Sequence, residues 1–152
     1  MVRLVLDTNL LISALISERG APARLIDAWD ERRFVLVCSR EQLDEIKSTT
    51  RRVHLAPYID RNDVGRFINQ LRAEAVMLDA LPVVDRSVDP ADNFLLAMAE
   101  AGEVDYLVSG DRRGVLALRK HGRTHIVSAR AMAVMLRLKL TPRRRGSKKK
   151  KR

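Results

Sequence analysis

Short apolar runs alternate with helical patterns of apolar residues along most of the chain. The runs of strand length lie at 2–6, 34–38, 76–78 (or, as a weaker alternative, 81–84), 106–108 and 125–127. Apolar residues at helical spacing predict helices at about 8–17, 21–31, 60–75, 91–101 and 129–139, with another opened by a capping-box pattern at Ser39 and a short one ending near 119. This alternation predicts a three-layer α/β/α sandwich with a central parallel sheet and right-handed crossovers.

Length and charge distribution favour one folded domain followed by a basic tail. The chain has 152 residues, enough for a hydrophobic core without disulfides. Its formal net charge is +10, but residues 141–152 hold eight Lys or Arg and no acid, which leaves +2 for residues 1–140. We therefore expect a domain over 1–140 and a disordered tail over 141–152. The tail would attract nucleic acid through phosphate contacts, or it is a solvated segment without a partner.

Cysteine content and hydropathy favour a cytoplasmic protein. The single cysteine, Cys38, excludes an intrachain disulfide and lies in a predicted buried strand, where we expect it to fill space in the core. The N-terminal residues lack the cationic region and apolar core of a secretory signal. No apolar run approaches the roughly 20 residues needed to span a bilayer, so we expect no membrane insertion.

Four acidic residues follow predicted strands or lie near the start of the helices after them. Asp7 directly follows a strand, and Asp111 follows one after Ser109-Gly110. Glu45 and Asp92 lie in the helices that begin after Ser39 and near residue 91. The carboxyl ends of parallel strands meet at one edge of a sheet, so we expect these four side chains to lie close together. Each acid also has an ordinary explanation as a helix cap or as a partner of a helix dipole. Their convergence is what indicates a site.

Such a group of acids favours a hard divalent cation. Neighbouring carboxylates repel each other and raise each other's pKa unless a cation neutralises them. Oxygen ligands without Cys or a suitably spaced His favour Mg²⁺ or Mn²⁺, which leave positions for a phosphate oxygen and an attacking water. The polar neighbours Thr8, Asn9 and Asn93 add hydrogen-bonding groups. The pattern therefore predicts metal-dependent hydrolysis of phosphodiesters, with one ion or two.

Four segments, in this order, resemble the successive motifs of PIN-domain proteins. They are Asp7-Thr8-Asn9, Leu43-Asp44-Glu45-Ile46, the segment DPADNFLLA at 89–97, and Ser109-Gly110-Asp111, within a similarity that spans about residues 1–138. The chain most resembles bacterial PIN proteins described as toxin components of toxin–antitoxin systems, whose relatives are metal-dependent ribonucleases. The resemblance implies an RNA substrate, a cognate antitoxin protein as partner, and Mg²⁺ or Mn²⁺ as cofactor.

The resemblance also implies roles for individual residues. Metal-ligand and catalytic positions fall on Asp7, Glu45, Asp92 and Asp111, and groups that orient carboxylates or water fall on Thr8, Asn9, Asn93 and Ser109. Helical periodicity alone does not choose between Asp44 and Glu45; only the family pattern selects Glu45. Many relatives carry another Asp soon after the fourth acid, whereas Arg112-Arg113-Gly114 follows here, which leaves the number of metal ions open.

Basic residues flank two of these acids. The candidates for contact with nucleic acid are Lys47, Arg51, Arg52, Arg112 and Arg113. A solvated helix surface is the alternative interpretation of all five. Asp89 also has two interpretations, as a helper of Asp92 or as a turn starter before Pro90.

Two functions from different classes are consistent with these patterns. The leading hypothesis is a Mg²⁺- or Mn²⁺-dependent endoribonuclease. The alternative is a non-catalytic nucleic-acid-binding regulatory module with a degenerate site, which the missing downstream Asp and the basic tail favour. Apolar residues at 10–16 and 132–138 fit either core burial or the face of a homodimer.

Overall fold

The fold is an α/β sandwich built around one sheet, as the sequence predicts. In the computed structural model, residues 1–110 and 113–140 are described. The predictions for Asp111, Arg112 and the basic tail at 141–152 concern residues that lie outside the described ranges.

The described residues form six strands and six α-helices. The strands are β1 (Arg3–Leu6), β2 (Val35–Ser39), β3 (Val76–Leu78), β4 (Tyr106–Val108), β5 (Lys120–His121) and β6 (Thr124–Val127). The helices are α1 (Thr8–Ile16), α2 (Ala21–Asp30), α3 (Arg40–Thr50), α4 (Arg61–Glu74), α5 (Asn93–Ala101) and α6 (Ala129–Met135). Shorter 3-10 helices occupy Ala56–Tyr58, Pro90–Asp92 and Val115–Leu118.

The order of the strands identifies the edge of the sheet where a ligand is expected. The sheet runs β3-β2-β1-β4-β6-β5, and every neighbouring pair is parallel except β5 with β6. The chain moves outward from β1 to β3 and then returns to the other side of β1 with β4. The direction of winding therefore reverses between β1 and β4. In open α/β sheets, ligands bind at such a reversal, outside the carboxyl ends of the strands.

Both faces of the sheet are covered, but more helices pack on one face than on the other. Leu4 and Leu6 of β1 point to one face, where the core includes residues of α1, α2, α3, α4 and α6. Val5 points to the other face, where the core is built mainly from α5 and the 3-10 helix at Val115–Leu118. The alternation of neighbouring strand residues between two apolar layers is what a sheet buried on both sides requires.

Three predicted helix starts are confirmed by their caps. The side chains of Asp7, Ser39 and Asp60 accept hydrogen bonds from backbone N–H groups in the first turns of α1, α3 and α4. Two helix boundaries differ from the prediction. The segment 91–101 begins as a 3-10 helix at Pro90–Asp92, so Asp92 precedes α5. The final helix ends at Met135 because Arg137 adopts a φ of 57° and the Leu138 N–H turns back to the Ala133 carbonyl at 2.9 Å.

The strand β5 was not predicted from the sequence. Its two residues pair antiparallel with β6 across a turn in which Gly122 has a φ of 56°. An apolar pattern cannot reveal so short a strand, because Lys120 and His121 are both polar.

The core includes Trp29 and Cys38, and the predicted burial of Cys38 is confirmed. Trp29 is buried and packs edge-on against Phe67, with their ring centroids 6.5 Å apart. Cys38 is fully buried in β2, and burial raises the pKa of its thiol to about 12. Among the described residues, no helix is both long and apolar enough to cross a bilayer.

Candidate active site

Asp7 lies at the reversal point of the sheet and is held from both neighbouring strands. It directly follows β1 and is buried, with 6% of its surface exposed. Its Oδ1 accepts the Asn9 N–H at 3.0 Å, and its Oδ2 accepts the Ser109 hydroxyl, which follows β4, at 2.8 Å. Its own N–H donates to the Val108 carbonyl at 2.8 Å. These contacts fix the carboxylate at the crevice between β1 and β4.

Gln42 joins the second strand-to-helix turn to the end of β1. Its amide is fully buried, and its Nε2 donates to the Leu6 carbonyl at 2.7 Å and contacts the Thr8 hydroxyl oxygen at 3.4 Å. The predicted capping box is therefore only half formed, because the Ser39 hydroxyl accepts the Gln42 N–H at 3.2 Å while the Gln42 side chain turns toward β1. Gln42 was not among the residues predicted for the site. Its spacing of one helical turn from the buried Ile46 was the available signal.

The orientation of α3 distinguishes between Glu45 and Asp44. Asp44 is exposed, whereas Glu45 is half-buried and is hydrogen-bonded to Thr8. Burial raises the pKa of the Glu45 carboxyl above its usual value, the hydrogen bond with Thr8 lowers it, and the charge of Asp7 raises it further. Glu45 thus faces the carboxylate at the end of β1, on the side that the family pattern selects.

The segment before α5 brings a third acid to the same place. The charge of Asp89 also raises the pKa of Glu45, so Asp89 lies near enough to act on it. The Asp89 side chain also accepts the Ala91 N–H at 3.0 Å, as a turn starter would. Asp92 follows three residues later, is half-buried, and lies directly before the first residue of α5.

Asn93 fixes the loop that carries these two acids. Its Oδ1 accepts the Arg86 N–H at 3.0 Å and the Ser87 N–H at 2.7 Å. The guanidinium of Arg86 donates to the Lys120 carbonyl at 2.8 Å and lies 2.9 Å from Nδ1 of His121. The start of the loop is thus tied both to Asn93, the first residue of α5, and to β5. The side-chain oxygen of Asn93 holds the backbone of this loop.

Asp7, Glu45 and Asp89 therefore come together, although they lie on three separate segments of the chain. Asn9 contributes its backbone N–H to this arrangement, and the residue itself is exposed. Within residues 1–110 and 113–140, no three Asp, Glu, His or Cys side chains are arranged to hold one metal ion. The oxygen-only donors and the raised pKa of Glu45 nevertheless fit a divalent cation, because a cation would offset the repulsion among these carboxylates.

The described basic residues among those predicted lie in different places. Arg52 is exposed, and its charge lowers the pKa of Glu45, so it lies beside the acids. Lys47 and Arg51 instead line a pocket of about 360 Å³ between α3 and α4, which we call the α3–α4 pocket. Arg113 is exposed.

Comparison with known proteins gives one match. The sequence model of a family described as PIN domain matches residues 3–113, a range that includes all four predicted metal-ligand positions. No curated protein and no solved structure matches the chain. PIN domains are generally nucleases and typically use divalent metal ions. The matched range covers well over half of the chain. It includes the strands β1 to β4 and the acidic site, and β5 and β6 follow it. The chain belongs to the PIN-domain family.

Proposed function

We propose that this protein is a Mg²⁺- or Mn²⁺-dependent endoribonuclease that acts as the toxin of a toxin–antitoxin pair. Asp7, Glu45, Asp92 and Asp111 would be its metal ligands. The observation that carries the proposal is the convergence of Asp7, Glu45 and Asp89 at the reversal point of the sheet, where the negative charges of Asp7 and Asp89 raise the pKa of Glu45. A cluster of carboxylates at this position suits a cation better than it suits an unliganded fold.

The chain's own residues have positioning roles in this proposal. The Ser109 hydroxyl and the Asn9 N–H orient the two oxygens of Asp7, and Thr8 orients Glu45 through a hydrogen bond. Asn93 holds the loop that ends at Asp92. A bound Mg²⁺ or Mn²⁺ would supply Lewis-acid chemistry and lower the pKa of water. Hydrogen bonds of this kind hold metal ligands in the orientation that metal binding requires.

A nucleic acid substrate is supported by the cation beside the acidic site. Arg52 lies close enough to lower the pKa of Glu45, and it is exposed to incoming ligands. A cation at this point would attract the phosphate that the carboxylates alone would repel. The choice of RNA over DNA rests on the resemblance to toxin ribonucleases.

The experiment that tests the proposal is cleavage of a mixed single-stranded RNA with Mn²⁺, with Mg²⁺ and with EDTA. The variants are Asp92→Asn and Glu45→Gln, with Asp44→Asn as a matched control because Asp44 is the adjacent, exposed acid on the same helix. We expect wild type and Asp44→Asn to cut only with metal, and the two site variants to lose roughly a hundredfold or more in rate. Cutting in EDTA, or full activity of Asp92→Asn, would contradict the proposal.

The same experiment separates the enzyme from a non-catalytic binding module. If folded wild-type protein bound the RNA but did not cut it with either metal ion, the result would favour the non-catalytic binding module over the nuclease. Loss of binding only on removal of residues 141–152 would then identify the basic tail as the binding element.

The toxin role has its own test. Induced expression of wild type in a bacterial host should arrest growth, whereas Asp92→Asn at equal abundance should not. Rescue by a co-expressed protein encoded beside the gene would identify the antitoxin. Normal growth with cleavage-competent protein would contradict the toxin role and leave the nuclease standing.

A homodimer is also proposed, on a small set of apolar residues. Leu10, Leu11 and Met132 are buried in the core, but Ile16, Val134 and Met135 are 41%, 65% and 45% exposed. Exposed apolar side chains on α1 and α6 suit a face shared between two copies. Light scattering during size exclusion measures the mass in solution, and a monomer at all concentrations would contradict the dimer.

A further inference from the structure

The α3–α4 pocket combines a strongly positive rim with an apolar floor. Four cationic side chains line it: Lys47 and Arg51 from α3, and Arg61 and Arg72 from α4. Apolar side chains line it as well, among them Ile59 and Val64. No acidic side chain of the described residues lines it. A ligand that is anionic at one end and apolar elsewhere would match this lining.

The four cations are available to a ligand. None of them forms an ion pair with a described residue, whereas Arg66 on the same helix α4 pairs with Asp63 outside the pocket. Like charges gathered on one pocket repel each other, and an anion would remove that repulsion. The pocket volume of about 360 Å³ is at the small end of the usual range for ligand sites.

The pocket and the acidic site both lie against α3, on different sides of it. Lys47 follows Glu45 by two residues and Arg51 follows it by six, so with 3.6 residues per turn both lie on the other side of the helix from Glu45. Arg52 acts electrostatically on Glu45 from the same end of α3. Arg51, which lines the pocket, and Arg52, which acts on Glu45, are consecutive residues at the end of α3, and a single strand of nucleic acid that crosses this end could reach both places.

We propose that the α3–α4 pocket binds one nucleotide of the single-stranded RNA strand that is cleaved at the acidic site. The cations contact its phosphate, and the apolar floor receives its base. This inference rests on the proposed ribonuclease function. It adds a subsite that holds the strand in register beside the site of cleavage.

Gly65 gives a direct way to block the pocket. It lines the pocket from the middle of α4, and a Cβ added there would meet no atom within 4 Å. Gly65→Glu therefore places a carboxylate among the four cations without a backbone clash. Gly65→Ala is its matched control, and Arg66→Gln is the matched control for Arg72→Gln because Arg66 lies on the same helix but outside the pocket.

The experiment measures binding of a short fluorescein-labelled single-stranded RNA to the full chain in EDTA, by fluorescence anisotropy at several salt concentrations. We expect Gly65→Glu to weaken binding at least roughly tenfold. Arg72→Gln should reduce the slope of log affinity against log salt by about 0.7. Gly65→Ala and Arg66→Gln should match wild type. Melting curves check that all variants are folded.

Cleavage by the same variants distinguishes this inference from the proposed function. With Mn²⁺, Arg72→Gln should raise KM and leave kcat unchanged, because the pocket binds substrate without touching the reacting phosphate. If wild type cuts RNA but Gly65→Glu and Arg72→Gln bind and cut like wild type, the pocket inference is wrong, and an acidic protein segment becomes its better occupant. If wild type binds RNA through the pocket without cutting it, the ribonuclease fails and the binding site stands. If wild type binds no RNA, the pocket inference is also wrong.

Discussion

The end of β1 and the loop before α5 both carry acids to the candidate site, but they hold them differently. Asp7 is buried, and three hydrogen bonds join it to the chain around it and to the neighbouring strand β4. Asp89 is exposed, and its loop is held mainly through Asn93 and Arg86. The first acid is part of the core, and the second is placed by a few polar contacts at the surface. Substitutions at the two places should therefore separate stability from activity.

The largest expected effect is that of Asp7→Ala. The change removes the α1 cap and leaves the buried Ser109 hydroxyl without this acceptor, so the free energy of unfolding should fall by about 2 to 3 kcal/mol. Cleavage should fall below detection. Urea unfolding and RNA cleavage measure the two effects.

The control for Asp7→Ala is Asp60→Ala. Asp60 caps α4 in the same way, accepting the Asn62 N–H at 2.7 Å, but it lies in an exposed turn. Its loss should cost about 1 kcal/mol and leave cleavage unchanged. Equal stability costs at the two positions would mean that Asp7 acts only as a cap.

Asn93→Ala should lower the cleavage rate more than it lowers the free energy of unfolding. The Arg86 and Ser87 N–H groups lose their acceptor, so the loop ending at Asp92 should become mobile while the core stays intact. We expect a loss of roughly tenfold in cleavage rate and about 1 kcal/mol or less in stability. Hydrogen exchange should show faster exchange at these two amides. Unchanged cleavage with a mobile loop would show that Asp92 needs no fixed position.

Glu45→Gln should stabilise the metal-free protein at neutral pH. Burial, and the charges of Asp7 and Asp89, raise the pKa of Glu45 above its usual value of 4.5, so its ionisation costs more in the folded state than in the unfolded state. The wild-type stability present below pH 4.5 is therefore lost as the pH rises through the folded pKa. In EDTA the Tm of Glu45→Gln should exceed that of wild type at pH 7, and the two should converge near pH 4. A lower Tm for the variant at pH 7 would contradict this account.

Asp89→Asn should have the smallest effect. An Asn side chain can still accept the Ala91 N–H and start the turn, so we expect a change of less than about 0.5 kcal/mol in stability. If Asp89 is only a turn starter, cleavage should change by less than about threefold, roughly the effect of weakening one exposed charge pair. A loss as large as that of Asp92→Asn would instead make Asp89 a metal ligand.

The sequence predicts most elements of the fold because their signals are local. Capping residues such as Asp7, Ser39 and Asp60 act within one turn of the helices they start. The predicted end of α6 was wrong, because the apolar pattern continues to Leu138 although the helix ends at Met135. Helix ends depend on backbone turns such as that at Arg137, which hydropathy does not encode.

The candidate site is less predictable because its contacts cross long stretches of sequence. The carbonyl of Leu6 and the amide of Gln42 are 36 residues apart, and only the folded sheet brings them together. The influence of Asp89 on Glu45 likewise depends on how the loop crosses the sheet edge. Helical periodicity could not choose between Asp44 and Glu45 as the acid that faces the site. In the folded protein α3 packs so that Glu45 faces Asp7 and Asp44 is exposed. The roles of the four metal-ligand positions stay predictions.

The hydrogen bond between Ser109 and Asp7 spans 102 residues, and this distance determines when the site can form during synthesis. A nascent chain that has reached only β3 leaves one side of β1 without its neighbour β4. Its central strand would then be an open, apolar edge that invites pairing with other chains. The carboxylate of Asp7 gains its second anchor only when β4 leaves the ribosome and fills that gap. The site is therefore complete only after β4 has left the ribosome.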